Sequence, residues 1–179
     1  MLFETLHDTN GEDETRVRRA FGWVVTFRDF PVGSWQNVGG DEMMTHALTF
    51  FTKGRAEFYL DGVRRGDRIP GILSSEYEPV GQDGMFELKY VEPTTRVCIP
   101  RYVNNDQLPN VKKIHLTEPI TVKAGFKALV CLGSVTVGEK VFEEEKTISV
   151  SSPEVTLVPN GDCYLLDFTD SSSRSKKAV

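Results

Sequence analysis

The feature that most restricts this chain is the shortness of its apolar runs. They recur as WVVTFRDF, ALTFF, AEFYL, RIPGIL, MFELKYV, RVCIP, KKIHL, ITV, KALVCLGSVTV, KTISV, EVTLV and CYLLDF. Nearly all are rich in Val, Ile, Leu, Thr, Phe or Tyr and are bounded by Gly, Pro, Asn, Asp or Ser, the residues that end strands. In the first run Trp23, Val25 and Phe27 alternate with Val24, Thr26 and Arg28, which is the period of a strand. No long segment beyond the N-terminus has apolar residues at the three-and-four spacing of a helix. Glu12 to Ala20 has room for one or two helical turns, with too few apolar positions to require them. Many short strands at roughly 8–12-residue spacing predict a sandwich or barrel. The chain reads as all-β. Asp61-Gly62, between AEFYL and VRR, predicts a hairpin because both residues tolerate positive φ. The adjacent pairs Phe50, Phe51 and Phe58, Tyr59 are each expected to place one ring inward and one outward.

With 179 residues, the chain suits one domain or two small ones, and 39% hydrophobic with 26% charged residues predicts an ordinary packed core. A net charge of −5 argues against a nucleic-acid binder, which needs a cationic surface to displace counterions from phosphates. No apolar run approaches the roughly 20 residues that span a bilayer. The start, MLFETLHDTNGEDETRVRR, has no apolar core of a secretory signal. Three cysteines (Cys98, Cys131, Cys163) with no CxxC pair predict a reducing, cytoplasmic setting and no obligatory disulfide. An intracellularly assembled particle is the other setting that fits. The organisation expected is a polar N-terminal segment (1–20), a first β half (21–100), a linker at 101–111, a second β half (112–168) and a frayed Ser-rich tail (169–179).

Two stretches look alike: ALTFFTKGRAEFYLDG (47–62), and FKALVCLGSVTVGEKVF (126–142) followed by ISVSSPEVTLVPNGDCYLLDF (148–168). Each has a strand, a Gly, another strand and a Gly-containing turn, and the second continues through a Pro-x-Gly turn into a last apolar strand. This pattern resembles the cupin family and implies a jelly-roll barrel or sandwich, with two fused β halves or one enlarged barrel as the alternatives. Metal-binding cupins carry two histidines one residue apart, a glutamate shortly after, and a third histidine beyond the Pro-x-Gly turn. With Gly133 aligned on the family's glycine, those positions fall on Ile120 and Val122 (or Pro119 and Thr121), on Phe126 and on Tyr164. In the first stretch, aligning Gly54 puts the glutamate position at Ala47 and leaves His46 one residue out of step, on the opposite face of a strand. A divalent ion needs several converging N, O or S donors. No metal and no cofactor is therefore expected.

The chain has three histidines, His7, His46 and His115. The resemblance implies one catalytic alternative, since metal-free cupins isomerise or epimerise sugar nucleotides with a histidine base and a tyrosine acid. His46 or His115 would then be the base and Tyr59 or Tyr164 the acid. Against it, the histidine-rich stretch of sugar ketoisomerases has no counterpart in ITVKAGF, and a lone strand histidine is commonly a surface or hydrogen-bonded residue. Trp35, in a Gly-rich loop, is a candidate interface anchor. Arg64, Arg65 and Arg68 form a local basic cluster suited to a phosphate or carboxylate, or to protecting a sheet edge. Glu143-Glu144-Glu145 reads as a solvated turn, because consecutive strand residues point to opposite faces. Gly39-Gly40 lacks the further glycines of a dinucleotide fingerprint, and Cys131 and Cys163 read as small core hydrophobes. The expected function is binding or assembly by a non-catalytic β-barrel. Such a chain would be a homo-oligomer, a subunit of a viral or other multi-protein particle, or a small-ligand module, with no nucleic-acid or membrane partner.

Overall fold

The computed structural model describes residues 3–5, 8–10, 16–20, 23–37, 48–76, 86–102, 111–123, 129–143, 145–150 and 154–168. Among them every regular element is a strand except a single 3₁₀ turn at Ser74–Glu76. In chain order the strands are β1 (Phe3–Thr5), β2 (Asp8–Asn10), β3 (Arg16–Ala20), β4 (Trp23–Pro31), β5 (Trp35–Asn37) and β6 (Phe50–Lys53). Next come β7 (Ala56–Leu60), β8 (Val63–Arg68), β9 (Phe86–Tyr90), β10 (Thr94–Tyr102), β11 (Lys112–Leu116) and β12 (Ile120–Lys123). The last six are β13 (Leu129–Leu132), β14 (Val135–Val137), β15 (Lys140–Phe142), β16 (Lys146–Val150), β17 (Glu154–Pro159) and β18 (Cys163–Asp167). The helical turns allowed for at Glu12–Ala20 do not form over Arg16–Ala20, which pairs as a strand instead.

The chain divides into two compact units, the first built mainly on Val24–Val103 and the second mainly on Asn104–Val179. In the first, β4, β10 and β6 lie side by side in one sheet, and β5, β9, β7 and β8 form another in that order. Buried residues of both sheets meet as one cluster: Phe30, Phe51, Ala56, Phe58, Leu88, Tyr90 and Val97. Phe30 stacks on Tyr90 with centroids 4.2 Å apart, and the Tyr90 hydroxyl donates to Gln36 Oε1 at 2.5 Å, so the one polar atom of that ring is satisfied. In the second unit the order β11-β18-β13-β16-β1 faces the order β12-β17-β14-β15. Its core is Leu116, Val122, Val135, Val137, Phe142, Val155, Leu157, Cys163 and Leu165. Each fully buried Leu, Val or Phe contributes about 1.5–3 kcal/mol by leaving water.

The two units repeat one strand order. In the first, β6 leads through Gly54 to β7, β7 turns back into β8 and also pairs with β9, and β10 returns beside β6. In the second, β13 leads through Gly133 to β14, β14 turns back into β15 and pairs with β17, and β18 returns beside β13. Both glycines are required sterically. A Cβ on Gly54 (φ +82°) would lie 2.5 Å from the Thr94 carbonyl oxygen, and one on Gly133 (φ +141°) would lie 2.6 Å from that of Asp162.

The Asp61-Gly62 hairpin forms as expected, with φ of 50° and 78° at its two turn residues and Leu60 opposite Val63. That mirror-image turn matches the right-handed twist of the flanking strands. Three expectations change. Phe50 and Phe51 are both buried, because alternation sends them to opposite faces of β6 and each face is covered there. RIPGIL is not a strand beyond Arg68. Pro70 has no N–H, Gly71 takes φ +87°, and the segment touches β6 through isolated bridges at Phe51↔Pro70 and Phe50↔Leu73. Finally, Glu145 is buried with φ 66° while Glu143 is exposed, so the acidic run is not a uniformly solvated turn; Glu144 lies outside the described residues.

Candidate functional site

The interior of each β unit is the first place to look for chemistry, because a barrel that binds an ion or substrate does so between its sheets. Among the described residues the hydrophobic clusters between the sheets carry one hydroxyl, that of Tyr90. Two buried polar side chains share their strand faces, Thr95 beside Val97 on β10 and Asp167 beside Leu165 on β18. Val122 belongs to the second core and Ile120 packs against it. Cys163 and Leu165 point inward from β18, so Tyr164 between them lies on the opposite face. Tyr164, which the family pattern would aim at an ion, is thus turned away from the interior. Cys98 and Cys163 are buried thiols, as small hydrophobes are.

The outward face of β11 and β18 brings together two residues named from the sequence. His115 and Tyr164 are direct partners in the strand register and their rings stack, centroids 4.3 Å apart and planes within 9°. His115 Nε2 lies 3.6 Å from Asp162 Oδ1, with Asp162 almost wholly in solvent, and Lys113 Nζ stands 5.9 Å from the Tyr164 ring. A base and an acid acting on one substrate flank it. These two rings fill the space between them with each other.

The outward face of the first unit's four-stranded sheet brings together three others. Trp35 is not in a loop but on β5, paired with Lys89 of β9, and is 51% exposed. Its ring meets that of Tyr59 on β7, centroids 5.1 Å apart and planes at 52°. Arg64 on β8 stands opposite Tyr59 and holds Glu57 at 2.9 Å and Asp67 at 2.7 Å. The Tyr59 hydroxyl donates to Glu57 Oε1 at 3.3 Å. Partial desolvation, then the Glu57 carboxylate, hold the Tyr59 phenol above its ordinary range, and the Asp67 carboxylate likewise raises Arg64.

The basic cluster read from the sequence is dispersed. Arg65 is the extra residue of a bulge, since Phe58 pairs with Gly66 and Tyr59 with Arg64. Arg68 lies over the Phe58 ring, 4.1 Å from its centroid. His7, His46, Gly39-Gly40, Phe126 and the tail at 169–179 lie outside the described residues, as does most of the proposed linker. The neighbours Glu57 and Lys89 were missed. Alternation in AEFYL and FELKY puts each on the face of its outward aromatic or charged partner, but only the strand register shows that β5, β9 and β7 align them.

In sequence, no protein-family profile and no curated protein matches the chain. In structure it is similar to HutD from Pseudomonas fluorescens SBW25, at 9% identity and a TM-score of 0.57, covering 90% of this chain and 92% of that one. A conserved protein of unknown function from Pseudomonas aeruginosa PAO1 gives 8% identity and 0.56, covering 85% and 86%. The bacterial pirin YhhW from Escherichia coli, solved in complex with nickel(II), gives 11% and 0.53, covering 91% and 89%. The fold is cupin-like. At such identities the likeness carries architecture alone. The metal that some cupin-fold proteins hold does not fit the described donors here. Val122 and Ile120 are packed in hydrocarbon, Tyr164 faces outward, and among the described residues no three His, Cys, Asp or Glu side chains converge. No described helix is long and apolar enough to cross a membrane.

Proposed function

We propose that this cupin-like chain acts by binding or assembly and not by catalysis, as a cytoplasmic homo-oligomer or a subunit of a larger particle. The observation that carries the reading is that, among the described residues, both interiors are packed mainly with hydrocarbon. The nine clustered residues of the second unit and the seven of the first carry one hydroxyl, engaged by Gln36. Of the buried polar side chains on the same strand faces, Thr95 donates to the Arg55 carbonyl oxygen and Asp167 stands at the end of β18. An active site needs convergent polar groups around a space. With the interiors packed, chemistry and recognition move to the outward faces. There Trp35 in the first unit, and Val141 and Val158 on either side of Thr136 in the second, are exposed apolar side chains that a partner would cover.

Equilibrium sedimentation of the purified protein tests this together with its metal content. Expected are a mass above that of one chain at micromolar concentration and less than one bound Fe, Mn, Ni or Zn per chain. A monomer carrying one equivalent of any of these metals overturns it.

A second reading, metal-independent isomerisation of a sugar nucleotide, draws on the register that brings His115 and Tyr164 to one face of β11 and β18, and requires their stacked rings to part for a substrate. Its test is solvent deuterium exchange beside the carbonyl of nucleoside-diphosphate keto-sugars, with His115→Gln as the variant. Exchange that falls by about 10²-fold or more in the variant, the scale of a general base, would replace the first reading by the second.

A further inference from the structure

The Trp35–Tyr59 face has a chemistry of its own. It lies wholly within the first unit, on the side of β5, β9, β7 and β8 opposite the core. Phe58, Leu88 and Tyr90 point inward from β7 and β9 and are buried. Glu57, Tyr59, Glu87 and Lys89 point outward from those same strands. The platform is therefore backed by packed side chains and a continuous ladder, which holds it in place without a ligand. Two aromatic rings meet on it, Tyr59 from β7 and Trp35 from β5, the latter 51% exposed. Around them stand Lys89, whose Nζ lies 5.7 Å from the Trp35 centroid, and Arg64 between Glu57 and Asp67. Arg55 extends the network, 3.3 Å from Asp67 and 3.7 Å from Glu92.

Charge decides what this face can hold. An anion placed over Tyr59 would meet Glu57, Glu87 and Asp67. A cation would meet Lys89 and Arg64. Arg64 and Arg55 are already matched to Glu57, Asp67 and Glu92, and Lys89 and Glu87 stand with opposite signs on one face of β9. A charged ligand of either sign therefore meets an opposing charge and gains little in exchange for its lost hydration. A purely apolar partner would strip water from those ion pairs without replacing its hydrogen bonds. What fits is a neutral group with an apolar face and a rim that both donates and accepts. A pyranose ring is such a group, since its C–H bonds present a flat face to an aromatic ring while its hydroxyls radiate from the edge. Carboxylates accept from those hydroxyls, guanidinium and ammonium groups donate to them, and here both kinds are held in fixed positions beside the rings.

From this geometry we infer that the Trp35–Tyr59 face binds a neutral oligosaccharide. The inference rests on the reading of the chain as a binding module, and gives that module a ligand class.

Tryptophan emission tests it directly. The chain has two tryptophans, and Trp23 is 1% exposed, so quenching by acrylamide reports on Trp35. The probes are cellohexaose, maltohexaose, mannohexaose and chitohexaose. At least one is expected to protect Trp35, with a dissociation constant between about 10 μM and 1 mM by calorimetry. Trp35→Ala abolishes the calorimetric signal, Tyr59→Ala weakens it by about tenfold or more, and Trp35→Tyr, which keeps a ring, retains part of it. Protection by none of the four, or unchanged binding in a natively folded Trp35→Ala, overturns the inference. So does binding of a sulfated hexasaccharide alone. If no sugar binds but Trp35→Ala converts an oligomer to a monomer, the sugar inference fails and the assembly reading stands. If a sugar binds while a stoichiometric metal is found, the platform stands and the non-catalytic reading fails.

Discussion

Replacing Gly54 by alanine tests the packing of the first unit at its most constrained point. The residue has φ +82°, a conformation that costs an L-residue about 1–2 kcal/mol. Its added methyl would also press on Thr95 Oγ1 and lie 2.5 Å from the Thr94 carbonyl oxygen and 2.6 Å from Thr95 Cα. Two of those three atoms are backbone of β10, and Thr95 is wholly buried, so the contact cannot be relieved by turning a side chain. Overpacking of this kind costs about 1–3 kcal/mol. Gly62 supplies the control. It lies in the same unit with nearly the same φ, +78°, and a Cβ there meets nothing within 4 Å. For Gly62→Ala the conformational cost is partly offset by about 0.4–1 kcal/mol from the stiffer unfolded chain. That offset is common to both variants, so Gly54→Ala should lose about 1–3 kcal/mol more than Gly62→Ala. Urea unfolding followed by circular dichroism measures the difference. Losses equal to within about 0.5 kcal/mol would refute the claim that β10 presses against the glycine.

Other outcomes follow from the interiors. Leu157, wholly buried in the second core, should cost about 2–5 kcal/mol when cut to alanine, and a loss under about 1 kcal/mol would mean that this interior is not tightly packed. Burial holds the Tyr90 phenol far above its ordinary range, with Arg28 acting weakly the other way. Its folded pKa thus exceeds its unfolded value of about 10, so the unfolded chain releases a proton that the native chain keeps, and stability falls as pH rises past about 10. Urea midpoints compared at about pH 9 and about pH 11 should show a smaller alkaline loss in Tyr90→Phe than in the unaltered protein, and equal losses would exclude Tyr90 as the cause.

Much of the architecture was legible because it rests on local rules. Asp61-Gly62 specifies a turn by its own backbone, and the alternation in WVVTFRDF specifies a face without reference to any neighbour. The likeness of the stretches around Gly54 and Gly133 reflects a shared demand, since each glycine lies where a returning strand passes too close for a side chain. What the sequence could not show was set by partners. Phe50 is buried because a second surface covers its side of β6, and nothing in ALTFF encodes that surface. Trp35 read as a loop residue because β5 has three residues, too few to show alternation, and its strand character comes from pairing with β9. The three arginines of VRRGDR look like a cluster in one dimension. The bulge at Arg65 and the acids across the ladder send them to different partners.

The strand β8 closes its sheet among the described residues, and it does so with a bulged residue, Arg65, and two further arginines. A foreign strand seeking to extend that ladder would lose register at Arg65 and carry the chain out of plane. Edge-on polymerisation into fibres is thereby discouraged at this rim, and a visitor is left with the broad side of the sheet as its landing ground.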